Sequence, residues 1–157
     1  MSGRYNDENR KSRERLHKLV NELTDEELRL VIYKEGWTVA VMLAHLAYWD
    51  HWSLLLMEKW EKSGEISSPM ADWDTINDTL FPNDTMLPFL LALPPRVAAG
   101  MALSSAEAID RKLEATPPEM IARIKHLGDE TRLYRSIHRK MHLDEIENFL
   151  KNRREIS

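Results

Sequence analysis

Six histidines and no cysteine set the chemistry open to this 157-residue chain. Without cysteine there is no disulfide, no thiolate metal site and no sulfur nucleophile, and the composition fits a reducing, cytoplasmic setting. The histidines must therefore carry any metal chemistry. One of them, His45, lies inside "WTVAVMLAHLAYWDHW" (Trp37–Trp52), a stretch that is almost entirely apolar and aromatic. Two more, His138 and His142, lie in "SIHRKMHLDEIENFL". Residues four apart on an α-helix sit about 40° apart around the axis and about 6 Å along it, so His138 and His142 share a face and can grip one ion. Leu133, Tyr134, Ile137, Met141 and Phe149 read as part of that face, which is therefore expected to point inward. Three imidazoles are enough for an open metal site, with water or substrate in the remaining positions. A buried polar cluster without metal is the alternative that these residues alone leave open.

Other metal patterns fail. Arg139 stands where H-E-x-x-H metalloproteases carry their general-base glutamate. A di-iron bundle needs Glu-x-x-His on two helices, and only Glu14 to His17 fits. His17 reads as a boundary residue, His51 as exposed or as a partner behind a ligand, and His126 as a helix C-terminal residue favoured by the dipole. Glu145 follows His142 by three residues and is a candidate ligand or base, or simply solvated. Asp50 is rotated away from His45 but could hold the far ring N–H of a histidine on another helix. Trp49 and Trp52 are candidates for a cavity wall or for plain core packing.

The elements that must position these residues are helical. Asn9–Leu23 has apolar residues at helical spacing. Thr24 with Glu27 forms a capping box for a short helix. Thr38 caps a long helix from Val39 to about Lys62, and Pro95–Ala115 starts on prolines suited to a first turn. A short helical piece starts at "TPPEM" and ends near "LGD", and a last helix spans Asp129–Arg153. Residues 64–95 read as irregular, with one short helix around Asp74–Leu80 and "MLPFLLALPP" as a lid or short helix over one end of the core. With no strand-like alternation and only 5 glycines, the fold class is all-α, a four-helix bundle with longer middle connections, forming one domain over residues 1–157.

The chain carries 22 basic against 26 acidic residues, interleaved, so no basic face predicts nucleic acid as a partner. The N-terminal stretch has no apolar signal region, and no apolar run is long enough to span a bilayer, so no membrane partner is expected. Trp60, Trp73, Phe81 and "MLPFLLALPP" exceed the apolar needs of one small bundle and predict a homodimer interface.

"GWTVAVMLAHLAYWDHW" resembles the second-helix motif of the DinB-like (YfiT-like) superfamily of metalloenzymes, and "HRKMHLDEIENFL" resembles its last-helix motif. "DWDTINDTLF" is similar to its middle connection. The resemblance implies a four-helix bundle in which His45, His138 and His142 bind a divalent transition metal, zinc or nickel. It also implies an enzyme acting on a small-molecule substrate. Superfamily relatives include mycothiol-dependent maleylpyruvate isomerases and bacillithiol transferases, so a low-molecular-weight thiol cofactor is among the expectations. The reaction expected is thiol-dependent transfer or isomerisation, or hydrolysis. The alternative is a non-catalytic bundle that binds a metal or a small ligand.

Overall fold

The computed structural model describes residues 3–68 and 77–157, with only the backbone described for 77–81. Four long helices make the bundle: α1 (Arg4–Glu22), α3 (Val39–Ser63), α5 (Pro95–Ala115) and α7 (Arg135–Ile156). Three shorter ones, α2 (Asp25–Leu28), α4 (Asn77–Leu91) and α6 (Pro118–His126), connect them, and a 3-10 turn at Glu130–Arg132 precedes α7. The main packing runs α3 on α5, α1 on α7, α1 on α5 and α3 on α7, which sets α5 diagonally across from α7.

Local chemistry fixes several of these boundaries. The Thr24 hydroxyl accepts from Glu27 N–H while the Glu27 carboxylate accepts from Thr24 N–H, closing the capping box. Thr38 caps α3 through Val41 N–H at 3.1 Å, and α3 ends on Gly64 at φ 74°, a left-handed cap where a Cβ would be strained. Other boundaries depart from the sequence expectation. Helix α1 starts five residues before Asn9, because the buried face of its first turns is polar: Asn6, Asn9 and Ser12 join Tyr5 there. The last helix starts at Arg135, not Asp129, because the Asp129 side chain instead caps the 3-10 turn through Thr131 N–H.

The middle connection also differs. Asp74, with the two residues after it, lies outside the described residues. From Asn77 the chain forms one helix through Pro82 and Pro88, rather than a short helix and a separate lid. Each proline forfeits one ladder hydrogen bond, but packing holds the helix: Leu90 and Leu93 sit against the core, and Asn83 accepts from the Trp49 indole at 3.0 Å. Trp60 is not surface. It is buried, and its indole N–H donates to Ser67 O at 3.1 Å. Trp73 and the Phe81 side chain lie outside the described residues. Phe89 and Leu91 of the apolar run are exposed.

The core is layered along the bundle axis. One apolar layer joins Leu16, Leu19, Met42, Leu43, Ala102, Leu143 and Ile146. A second, at the other end, joins Tyr5, Met57, Trp60, Ile109, Leu113 and Ile124. Between them lies a buried ionic layer. The Arg139 guanidinium, 0% exposed, donates to both oxygens of Asp110 at 2.8 and 2.9 Å and to Asp50 at 3.1 Å. Arg135 donates to the other Asp50 oxygen at 2.8 Å, and Arg13 donates to Asp110 at 2.9 Å. Asn9 donates to Leu133 O at 2.7 Å and accepts from Ser136 N–H at 2.9 Å, tying α1 to the start of α7.

This layer predicts unequal costs for charge removal. Asp110→Leu leaves Arg139 and Arg13 facing one another without their shared carboxylate, and should destabilise the protein by about 3–5 kcal/mol in denaturant unfolding. Lys140→Ala, which removes only an exposed pair with Asp144, should cost less than about 1 kcal/mol in the same measurement. Equal costs would show that the layer contributes no more than a surface ion pair.

Candidate metal centre

His45 sits in the second turn of α3 and is buried, at the level where the first apolar layer gives way to the ionic one. His138 and His142 approach it from α7. The face they occupy is not the core face. The buried stripe of α7 is Arg135, Arg139, Leu143, Ile146 and Leu150, while Ile137 and Met141 are exposed and line the mouth of a cavity. The two histidines therefore lie on the seam between core and cavity, with Arg139 about 100° of helix rotation from His138.

The structure brings the three ring nitrogens together. His45 Nε2 and His138 Nε2 are 3.0 Å apart, His142 Nε2 and His138 Nε2 are 3.1 Å apart, and the ligand atoms of all three lie within 4.8 Å of one another. Two nitrogens each about 2.0–2.1 Å from one zinc ion stand about 3.3 Å apart at a tetrahedral angle. The spacing thus suits a single shared ion.

Proton bookkeeping makes the same point. The Glu145 carboxylate lies 3.3 Å from His142 Nδ1. A carboxylate only accepts, so neutral His142 carries its proton on Nδ1 and turns a bare Nε2 toward His138. If His138 Nε2 is protonated it can donate to His142 but cannot accept from His45. If it is bare, it accepts from His45 and faces the lone pair of His142. Either way one of the two close contacts is unsatisfied. An extra proton is costly: burial first, then the neighbouring histidines and Arg135 and Arg139, push His138 down to about 2. Burial, then His142, pushes His45 down to about 3. Burial likewise lowers His142, against the opposing pull of Glu145. A cation shared by three neutral imidazoles removes the conflict, and this donor set fits a divalent transition ion.

Glu145 is therefore not among the converging donors; it holds the far nitrogen of His142. The same oxygen, Glu145 Oε2, also accepts from the Tyr33 hydroxyl, which is pushed up to about 12, by burial first and then by this carboxylate. Tyr33 is held by the turn before α3, where Gly36 N–H bonds Tyr33 O at 3.0 Å and Gly36 adopts φ 92°. Nothing in the sequence spacing links Tyr33 to Glu145, since they lie far apart in the chain and meet only through the fold. Asp50 does not reach a histidine; both its oxygens go to Arg135 and Arg139. His45 Nδ1 is buried with no hydrogen-bond partner among the described residues. His17, His51 and His126 are exposed and away from the cluster.

The three histidines floor a cavity of about 770 Å³. Trp37 and Trp49 form part of its wall, with the Trp37 ring edge-on to His45 at 5.3 Å between centroids. Trp52 packs instead with the second apolar layer, with the Arg132 guanidinium 4.9 Å above its ring. Trp37 was visible in the sequence as the start of an aromatic stretch, but its place against His45 depends on the turn between α2 and α3.

Comparison with known proteins fits this geometry. Residues 8–149 match the family model of the DinB superfamily. No curated protein and no solved structure matches the chain. With a match over most of its length, an all-α bundle and a three-histidine cluster between α3 and α7, the chain belongs to the DinB superfamily.

Proposed function

We propose that the protein is a metal-dependent enzyme that acts on a small molecule in the cavity above His45, His138 and His142. The observation that carries this reading is the convergence of three neutral imidazoles at the floor of an open cavity walled in part by Trp37 and Trp49. A structural site would be closed by a fourth protein ligand. Among the described residues no carboxylate joins the three histidines, and Glu145 is turned to the outer side of His142.

A divalent ion bound there supplies Lewis acidity, lowering the pKa of a bound water toward about 7 or holding a thiolate or carbonyl oxygen. The chain's own residues do the rest. Glu145, itself held by Tyr33, fixes the tautomer and orientation of His142. Trp37 and Trp49 keep bulk water from one side of the cavity. Because the chain has no cysteine, a thiol-transfer reaction would need a low-molecular-weight thiol as co-substrate. Transfer or isomerisation with such a thiol, and hydrolysis through water, are the two reactions this arrangement serves, with zinc or nickel as the ion.

The direct test is elemental analysis of protein purified without a histidine tag, with one divalent ion per chain expected. Replacing any one of His45, His138 or His142 by alanine should leave a metal-poor protein. His142→Ala should keep its helices in circular dichroism, because the apolar layers form most of the core, and should lose activity toward a panel of small thiols with electrophilic acceptors and of esters. Loss of helices at room temperature in that variant would instead assign the ion a structural role.

Glu145→Gln removes the charge but not the bulk behind His142. It should weaken metal binding by about 10–100-fold in competition with a chelator, without unfolding the protein. An unchanged affinity would detach Glu145 from the site.

The metal-free protein should also be acid-sensitive in a defined window. Unfolded histidine titrates near 6.5, whereas folded His45 and His138 titrate near 3 and 2. Between these values the unfolded state binds more protons, so stability is full above pH 6.5 and declines as pH falls. Each such histidine contributes a slope of up to about 1.4 kcal/mol per pH unit. Denaturant midpoints from pH 7.5 to 4.5, compared with His45→Phe, measure it, and identical slopes would show that His45 does not titrate differently in the two states.

A further inference from the structure

The ionic layer holds three guanidiniums, Arg13, Arg135 and Arg139, but only two carboxylates, Asp50 and Asp110. One positive charge is left over. Arg139 is fully buried and bonded on every nitrogen. Arg13 lies at the opposite side of the layer and is partly solvated, with 19% of its side chain exposed. Arg135 is different. Its Nε is bound to Asp50 and its Nη1 to Thr131 O at 3.0 Å. Its Nη2 has no partner among the described residues, yet it is not among the sealed polar atoms, and the residue lines the cavity that contains the three histidines.

We infer that Arg135 is an anion-recognition residue of this cavity, and that the ligand is a small, partly apolar monocarboxylate whose carboxylate meets the Nη2 edge of Arg135 beside the histidine cluster. The inference rests on reading the cavity as a substrate site and adds the substrate's chemical class.

Three features select this class. The surplus is one charge, which matches a carboxylate better than a dianionic phosphate. The free Nη2 presents an N–H donor from a nearly buried guanidinium, where a charge-assisted hydrogen bond is about twice as strong as a neutral one. The walls offered by Trp37, Trp49 and Met141 suit an apolar body. Neighbouring charges do not cancel the effect. Arg132 and Asp129 pair with each other at 3.1 Å, and Glu35 and Asp84, at the rim, are exposed and screened by water. Arg135 and His138 are three residues apart on α7, about 5–6 Å between Cβ atoms. The carboxylate therefore lies within a few bonds of the group that faces the histidines.

Quenching of tryptophan fluorescence tests this, since Trp37 and Trp49 line the cavity. The probes are phenylacetate and benzoate against their neutral isosteres phenylacetamide and benzamide. Each is titrated into chelator-treated protein and into zinc-loaded protein. In the metal-free protein the carboxylates should bind at least about tenfold tighter than the amides, a difference of about 1.4 kcal/mol. Arg135→Lys, which keeps a cation for Asp50 but removes the Nη2 donor, should bring the two within about threefold, a gap well under the tenfold step of 1.4 kcal/mol. Parity between acid and amide in the metal-free wild type overturns the inference, and that comparison decides the matter even if Arg135→Lys does not fold. A carboxylate preference that appears only with zinc, and survives in Arg135→Lys, also overturns it by placing the anion on the ion, while leaving the proposed function intact. A preference that depends on Arg135 in a protein that takes up no metal supports the inference and removes the proposed function.

Discussion

Arg139 has no contact with solvent, and its guanidinium is gripped from three other helices at once: Asn9 O and Ser12 of α1, Asp50 of α3, and Asp110 with Ala106 O of α5. Everything else in the bundle accommodates that arrangement. A buried guanidinium is tolerated only if nearly all its donors are satisfied, and removing a partner leaves an uncompensated charge. The four helices must therefore meet at one level, in one register and with one rotation about their axes. Apolar layers above and below supply the bulk of the hydrophobic stabilisation, but such contacts are non-directional and tolerate slippage. The ionic layer does not.

The rotation of α7 is what matters for the site. Once Arg135 and Arg139 point into the bundle, His138 is fixed on the seam with the cavity and His142 follows one turn later. Lys140 and Asp144 then face water, where they pair at 2.6 Å. One helix thus presents three faces: guanidiniums and aliphatic side chains to the core, imidazoles to the cavity edge, and a charged surface. On α3 the same division places Asp50 in the ionic layer and His45 at the border of the apolar one. The site is held by the packed part of the bundle, and the rotations of α3 and α7 set where its ring nitrogens converge.

The all-α class, the capping box at Thr24, the cap at Thr38 and the span of α5 were legible because each depends on residues within a turn or two of one another. The histidine trio was legible because two members share a helix at ligand spacing and the third is conspicuous in an apolar stretch. The ionic layer was not. Asn9, Asp110 and Arg139 look like ordinary surface residues in sequence, since a period of apolar residues cannot mark a buried face that is polar. The same blindness shortened α1 and turned the inward face of α7 toward Ile137 and Met141. Asp50 holds no histidine because the two arginines of α7, distant in sequence, take both its oxygens. Helix α4 is not legible as one helix because Pro82 and Pro88 disfavour a helix locally, and only packing against α3 and the core overrides them.

The histidines and the arginines on α7 also constrain one another electrically. Guanidiniums near His138 disfavour its protonation, which keeps an imidazole lone pair available at neutral pH. The same positive charge would oppose a divalent ion. Burial of the ring would therefore act oppositely on the two cations: it expels the proton, which brings one weakly shared charge, whereas an ion bonded to all three nitrogens together would offset its own desolvation. Glu145 offsets part of the repulsion from the outer side of His142, where it adds negative charge without occupying a position at the cluster. A carboxylate directly among the three nitrogens would neutralise the site and close it. Placed one ring away and tethered to Tyr33, it leaves the cavity side of the three nitrogens free of any carboxylate among the described residues.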